Sequence, residues 1–212
     1  LGAHLEGPFL SKSRQGAHNP EYLISPSLSA LNQLIEGYES EVDLFTLAPE
    51  LTNSPVVIKK LNALGTVVCL GHSSADDKES SIAFANGVRM LTHAFNAMPG
   101  LMHRSPGPIG EAIKNGEIAI GLIADGVHVH PTMATLLARL ASKQLVLVSD
   151  AIAPYGLGNG CYKWDERFIV SENGSCRLND GTLAGSTVSL LNACKNLARW
   201  TGQPAAAIWS AT

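Results

Sequence analysis

Residues 1–9 read Leu1-Gly2-Ala3-His4-Leu5-Glu6-Gly7-Pro8-Phe9. A short strand-like run closes on the carboxylate of Glu6, and Gly7-Pro8 breaks the backbone just after it. A strand buried in a sheet rarely ends in an unpaired acid unless something cationic waits there, because an isolated buried charge is costly. Four later apolar runs close in the same way, on Gly71-His72, Thr92-His93, Ala124-Asp125 and Ser149-Asp150. The pattern implies that these strand ends converge on a metal and that Glu6 is one of its ligands.

Outward from that stretch, strands alternate with helices. Strands are expected to end at Glu6, Ala48, His72, His93, Asp125 and Asp150, six in all. Apolar residues at helical spacing mark helices over residues 27–39, 76–86, 131–141 and 186–199, with a short one over 111–115. Another opens at Ser54-Pro55, read as an N-cap followed by proline at the first helical position, and closes at Gly65. Residues 11–20, a polar run with Gly16 and Pro20, and residues 99–110, rich in Pro and Gly, read as loops. Residues 167–170 and 175–178 flank Glu172-Asn173-Gly174, a hairpin signal. Gly181-Thr182-Leu183-Ala184-Gly185 reads as the segment that introduces the last helix.

Strands apolar on both faces and separated by helices indicate a covered parallel sheet. Polar groups at their carboxyl ends fit an α/β fold of the (β/α)8 TIM-barrel type, whose active sites are built on that face. With about six of eight strands in hand, the barrel is incomplete here. A doubly wound open sheet is the rival, but no Gly-rich phosphate turn follows the first strand. The chain opens on Leu1 inside a strand and stops at Trp209-Ser210-Ala211-Thr212 without a terminating pattern, so it reads as a piece of a longer protein.

The 212 residues are 45% hydrophobic and 16% charged, enough apolar content for a sizeable core. A net charge of −3 gives no basic footprint for nucleic acid or a membrane surface. Cys69, Cys161, Cys176 and Cys194 form no paired motif, which suits reduced thiols and a cytoplasmic setting. The longest apolar stretch, near residues 118–124, is far too short to span a bilayer.

Two histidines and a glutamate on separate strand ends can make a three-ligand site with one open position, as in catalytic zinc centres. Such a site lowers the pKa of coordinated water to about 7. His72 and His93 are 21 positions apart, which suits successive strand–helix units rather than one helix. Each histidine alone reads as an ordinary polar residue at a strand end; together with Glu6 and Asp150 in one layer they read as a site. Asp150 is the candidate general base, with turn capping as its plain structural role. His18, on a loop, could polarise a carbonyl. Arg104, among Ser, Pro and Gly, could grip a phosphate. Of His128 and His130, alternation lets one face the site and turns the other away.

Together, His4-Leu5-Glu6-Gly7-Pro8-Phe9, Gly71-His72-Ser73, Thr92-His93-Ala94-Phe95-Asn96-Ala97-Met98, Ala124-Asp125-Gly126-Val127-His128 and Val148-Ser149-Asp150-Ala151 resemble the N-acetylglucosamine-6-phosphate deacetylases of the amidohydrolase superfamily. Order and spacing match over essentially the whole chain. The resemblance implies Glu6, His72 and His93 as metal ligands, Asp150 as catalytic acid/base, and His18 as the contact to the acetamide carbonyl. It implies Ala17, Asn96, Ala97, Arg104, His128, Leu183, Ala184 and Gly185 as binding residues for the sugar phosphate. The implied ion is divalent, with Zn2+ first and Fe2+, Mn2+ or Co2+ also compatible with the ligand set.

The implied partner is a small-molecule amino-sugar phosphate, with neither nucleic acid nor membrane. The implied assembly is a homodimer whose phosphate site is completed across subunits by Arg104 or His128. Residues 1–212 would then form part of the catalytic barrel, with the β-sandwich domain and the first barrel strands outside this chain. The other readings are a non-catalytic sugar-phosphate binding protein, an inactive truncated fragment, or an amidohydrolase with another amide substrate. Asp150 beside three ligands argues against simple binding, which needs no proton shuttle.

Overall fold

The first strand, β1 (Ala3–Glu6), lies parallel to β2 (Val42–Leu47), with Glu6 opposite Thr46. In the computed structural model, residues 2–209 are described, Trp209 in its backbone alone. Leu1 and residues 210–212, on which the reading of the chain's ends rests, lie outside the described residues. The chain divides into two compact units, Leu1–Ile120 and Gly121–Thr212.

In the first unit, β2 pairs in register with β3 (Val67–Leu70), and β3 pairs with β4 (Val88–Leu91) with a shift of register between Val68 and Cys69. Met90 and Leu91 of β4 pair with Ala119 and Ile120, which open β5 (Ala119–Leu122). Strands β2 to β5 are buried over most of their length, as their largely apolar composition requires: Phe45, Leu47, Val68, Cys69, Leu70, Leu91 and Ile120 are inaccessible, while β1 is only partly sheltered at Leu5 and Glu6. The helices are α1 (Leu28–Ile35), α2 (Ser54–Ala63), α3 (Asp77–Ala85) and α4 (Gly107–Asn115). Each presents apolar residues inward, among them Leu31 and Ile35, Val57, Ile58 and Leu61, Ala83 and Phe84, and Ile109 and Ala112.

Local signals explain the helix starts. Ser27 caps α1 by accepting from Ala30 N–H. Asp76 and Glu79 form a reciprocal capping box on α3. At α2 the sequence expectation is corrected. Asn53 is the N-cap, in the left-handed conformation, and Ser54 is already helical. The Ser54 hydroxyl is buried and donates to the Ala48 carbonyl at 2.8 Å. Helix α4 also begins four residues earlier than its composition indicated, because Gly107-Pro108 forms its first turn.

The second unit begins with the end of β5, whose Leu122 carbonyl accepts from Val148 N–H just past β6 (Leu145–Leu147). The parallel strands therefore follow chain order from β1 to β6. Helix α5 (Pro131–Leu140) precedes β6. Four antiparallel strands follow, β7 (Gly160–Trp164), β8 (Arg167–Glu172), β9 (Ser175–Leu178) and β10 (Leu183–Ser186), in the order β10-β9-β8-β7. The expected hairpin is present. Glu172 pairs with Ser175 across Asn173-Gly174, whose φ values of 51° and 86° suit a tight two-residue turn.

Two expectations fail in this unit. Residues 183–186 form strand β10, not a helix lead-in. The last long helix, α6 (Leu190–Thr201), starts at the Ser189 cap rather than at Ser186. A short α7 (Ala205–Trp209) follows. No helix among the described residues is long and apolar enough to cross a membrane.

Candidate metal centre

Glu6, His72 and His93 leave β1, β3 and β4 at the same end of the sheet, and their side chains meet. His93 Nε2 stands 2.9 Å and His72 Nε2 3.5 Å from Glu6 Oε1, and the two Nε2 atoms are 3.2 Å apart. The imidazoles of His72 and His93 are both buried and cross at 86°. Ligands about 2.0–2.1 Å from a zinc ion at tetrahedral angles stand about 3.3 Å from one another. The three observed separations bracket that value, so the residues fit a divalent metal. His18 Nε2 reaches the other oxygen, Glu6 Oε2, at 3.2 Å.

Electrostatics favour the anionic ligand. Burial pushes the Glu6 carboxyl up, but the imidazoles of His18, His72 and His93 gathered around it outweigh burial and hold the group well below the usual carboxylate range. The tautomer of His72 follows from its other nitrogen: Nδ1 lies 2.9 Å from the Arg14 carbonyl, which only accepts. The proton therefore sits on Nδ1, and the Nε2 lone pair faces the centre.

The loop after Phe9 wraps this histidine. Ser11 N–H donates to the His72 carbonyl at 2.9 Å. Gly16, at φ 56°, lies so close that an added Cβ would stand 3.0 Å from His72 Cε1. That approach carries Ala17, which is buried, and His18 to the site. A cleft of about 320 Å³ borders Glu6 and His18, lined otherwise by Leu5, Tyr22, Leu23 and Leu34 among others.

The site residues share an unusual backbone. His72 (φ 46°), His93 (φ 30°), Phe95 (φ 76°) and Ala97 (φ 49°) are all left-handed, and so is Asp150 in the second unit (φ 49°). Left-handed non-glycine residues store roughly 1–3 kcal/mol each and cluster at functional sites. Asn96 is turned back on its own loop, its amide donating to the carbonyls of His93 and Ala94 at 3.2 Å each. Arg104 is exposed at the tip of a tight turn closed by reciprocal Met102–Ser105 backbone bonds. Among the described residues its guanidinium makes no hydrogen bond or ion pair.

Within the second unit, Asp150 and β10 come together. Ser186 N–H donates to the Asp150 carbonyl at 2.8 Å, and the Ser186 hydroxyl donates to the Ser149 carbonyl. A Cβ on Gly185 (φ 144°) would stand 2.9 Å from the Asp150 carbonyl oxygen. Of the predicted residues, Gly185 thus abuts Asp150, with Leu183 and Ala184 preceding it on the same strand. His128 Nδ1 donates to Asp125 Oδ2 at 2.6 Å, with both side chains nearly inaccessible. His130 is exposed and caps α5 by accepting from Thr132 N–H.

The sequence reading did not single out the residues that steer these ligands. The Arg14 carbonyl has no side-chain signature. Asp125 was placed at a strand end without its task of orienting His128. Thr46 and Thr92 hydrogen-bond at 2.7 Å beneath the centre, with His4 Nε2 on Thr46 at 2.7 Å. Glu50, two residues beyond the expected strand end at Ala48, carries no role in the sequence reading.

No family model matches the chain. It is 34% identical over 209 residues to the N-acetylglucosamine-6-phosphate deacetylase of Vibrio furnissii, covering 99% of this chain and 52% of that protein. It is 36% identical to the N-acetylgalactosamine-6-phosphate deacetylase of Escherichia coli, covering 100% and 56% respectively. A solved aspartate-to-alanine mutant of N-acetyl-D-glucosamine-6-phosphate deacetylase from Mycobacterium smegmatis, in complex with N-acetyl-D-glucosamine-6-phosphate, superposes with a TM-score of 0.93. It has 30% identity, with 99% of this chain and 57% of that one covered. The Thermotoga maritima deacetylase structure gives a TM-score of 0.91 at 33% identity and the same coverage. The chain spans about half the length of the curated relatives it matches.

Proposed function

From a chain that belongs to the N-acetylglucosamine-6-phosphate deacetylase family, we infer that the intact protein hydrolyses the N-acetyl group of N-acetyl-D-glucosamine 6-phosphate. The products are glucosamine 6-phosphate and acetate, in amino-sugar catabolism. The observation that carries this reading is the convergence of Glu6 Oε1, His72 Nε2 and His93 Nε2 at metal-ligand spacing.

Glu6, His72 and His93 hold the divalent ion, Zn2+ being the first expectation for one carboxylate and two imidazoles, with Fe2+, Mn2+ or Co2+ as alternatives. Held there, the ion would supply Lewis acidity and lower the pKa of a water to about 7. Asp150 takes a proton from the attacking water and returns it to the departing amine, so that no covalent enzyme intermediate is needed. His18 donates to the acetamide oxygen as negative charge gathers there. What supports that role is proximity to the ligand set, His18 Nε2 standing 3.2 Å from Glu6 Oε2, a contact it would exchange for the substrate oxygen.

Ala17, Asn96, Ala97, Arg104, His128, Leu183, Ala184 and Gly185 bind the sugar phosphate. The uncommitted guanidinium of Arg104, displayed on a turn, suits a phosphate completed across a homodimer. Residues 1–212 are part of the catalytic barrel of a cytoplasmic enzyme, with the β-sandwich and first barrel strands contributed from outside them.

The test is acetate release from N-acetylglucosamine 6-phosphate by the intact protein, with metal content measured on the same sample. The galactosamine epimer is run in parallel, because one relative is named for it. Asp150→Asn should keep the metal and lose about 10²–10⁴-fold in turnover, the usual size of general acid–base catalysis. Metal-loaded protein that binds the sugar phosphate and releases no acetate refutes the reading.

A further inference from the structure

The loop after β2 carries a carboxylate that the deacetylase reading does not use. Glu50 Oε2 accepts from the Ser73 hydroxyl at 2.6 Å. Its Oε1 accepts from Ser74 N–H at 2.7 Å and from the Ser74 hydroxyl at 3.0 Å. These donors belong to the two residues immediately after His72. Among the described residues no Lys or Arg forms an ion pair with Glu50, so its charge is met by dipoles of this one turn.

The turn needs holding. His72 sits at φ 46°, where L side chains are disfavoured, and its conformation decides where Nε2 points. Ser73 is fully buried. Besides donating to Glu50, its hydroxyl accepts from Ala75 N–H at 3.0 Å. Its own N–H donates to the Ala97 carbonyl at 3.1 Å, which ties this turn to the one after His93. Hydrogen bonds to an ionised acceptor are roughly twice as strong as neutral ones. Glu50 is not among the groups whose donor atoms converge at the centre, so it acts on the ligand through the backbone.

We propose that Glu50 is a positioning residue of the metal centre: it clamps the Ser73-Ser74 turn and thereby fixes His72 Nε2 at ligand distance from Glu6 and His93. The inference rests on the metal-centre reading given above. It goes beyond that reading by assigning a determinant of metal affinity to a residue that touches neither metal nor substrate.

The test uses the intact protein loaded with cobalt(II), whose visible absorption reports ligand geometry, together with chelator competition and steady-state kinetics. Glu50→Ala should weaken metal binding about 10- to 100-fold, as loss of an outer partner of a metal ligand does. It should also alter the cobalt spectrum and, at saturating metal, lower kcat more than it raises KM. Glu50→Gln keeps one acceptor oxygen for Ser74 N–H and should recover part of the affinity. Wild-type affinity and an unchanged spectrum in Glu50→Ala, even with a lower melting temperature, overturn the inference.

Should Glu50→Ala not fold, Ser74→Ala, at an exposed position, decides the matter: a smaller loss of affinity supports the clamp, and no loss overturns it. A wild-type protein that binds no cobalt overturns the metal-centre reading and this inference with it. A metal-binding wild type with an indifferent Glu50→Ala overturns this inference alone.

Discussion

Replacing Gly71 with alanine should damage the floor of the metal centre more than its surroundings. Gly71 precedes His72 at the end of β3 and has no positive φ, so alanine is conformationally acceptable there. The obstacle is space. A Cβ would stand 2.7 Å from Thr46 Cγ2 and 2.9 Å from Thr92 Cβ, the two residues whose hydroxyls meet across this position at 2.7 Å. Overpacking of a close-packed interior costs about 1–3 kcal/mol. Parting the threonines forfeits a buried hydrogen bond worth about 0.5–1.5 kcal/mol.

The restricted unfolded chain returns about 0.4–1 kcal/mol. The net expectation is a destabilisation of about 0.5–4 kcal/mol, centred near 2. Urea unfolding of the intact protein, metal-free and metal-loaded, measures it. Thr46→Ser removes the methyl nearest the new Cβ and keeps the hydroxyl, so in the double variant it should restore about 0.5 kcal/mol or more of the loss. A Gly71→Ala protein as stable as wild type, or a Thr46→Ser change that restores nothing, would refute the packing argument.

Two other outcomes are expected in the second unit. Burial pushes the Asp125 carboxyl up, but the His128 imidazole and the N–H groups of Val127 and His128 outweigh it, so its pKa lies below the ordinary value. A depressed folded pKa contributes stability that is present above the unfolded value of about 3.9 and is lost as pH falls through the folded one. Asp125→Asn should therefore flatten the acid limb of the stability–pH curve, and an acid limb identical to wild type would contradict this. On the deacetylase reading proposed above, His128→Gln should raise KM for the sugar phosphate about 10- to 100-fold, the worth of one hydrogen bond to a charged group. His130→Gln should leave KM in place, because His130 is an exposed helix cap; equal effects at the two positions would sink the distinction.

The parallel strands and most helices were legible because their apolar spacing is set by burial, and burial is what the structure displays. Strand β7 was not legible: Gly160-Cys161-Tyr162-Lys163-Trp164 has no buried residue, and its alternation is confined to the partly sheltered Tyr162 and Trp164. Strand β10 was hidden because Leu183-Ala184-Gly185-Ser186 has the composition of a turn. In the metal centre, three acidic or imidazole side chains at strand ends were readable as chemistry. Their left-handed backbones were not, since no glycine stands at either position and a histidine, though enriched at positive φ, adopts it only occasionally. The Arg14 carbonyl that sets the His72 tautomer belongs to every residue type alike. Glu50 could have been found: it is one more acid just beyond an apolar strand, hidden by a proline that made the segment look like punctuation.

All three converging donor atoms come from Leu1–Ile120, and none from Gly121–Thr212. A metal that binds the folded state alone adds RT ln(1 + [M]/Kd) to stability, about 2.7 kcal/mol at a hundredfold excess over Kd. That increment falls on whichever segments must be folded for the donors to meet. Amide exchange should therefore slow on metal addition in β1, β3, β4 and the turns that follow them. The β7–β10 hairpins would exchange at their own pace unless the two units open together. The distribution of that protection along the chain would reveal whether the protein unfolds as one cooperative body or as two.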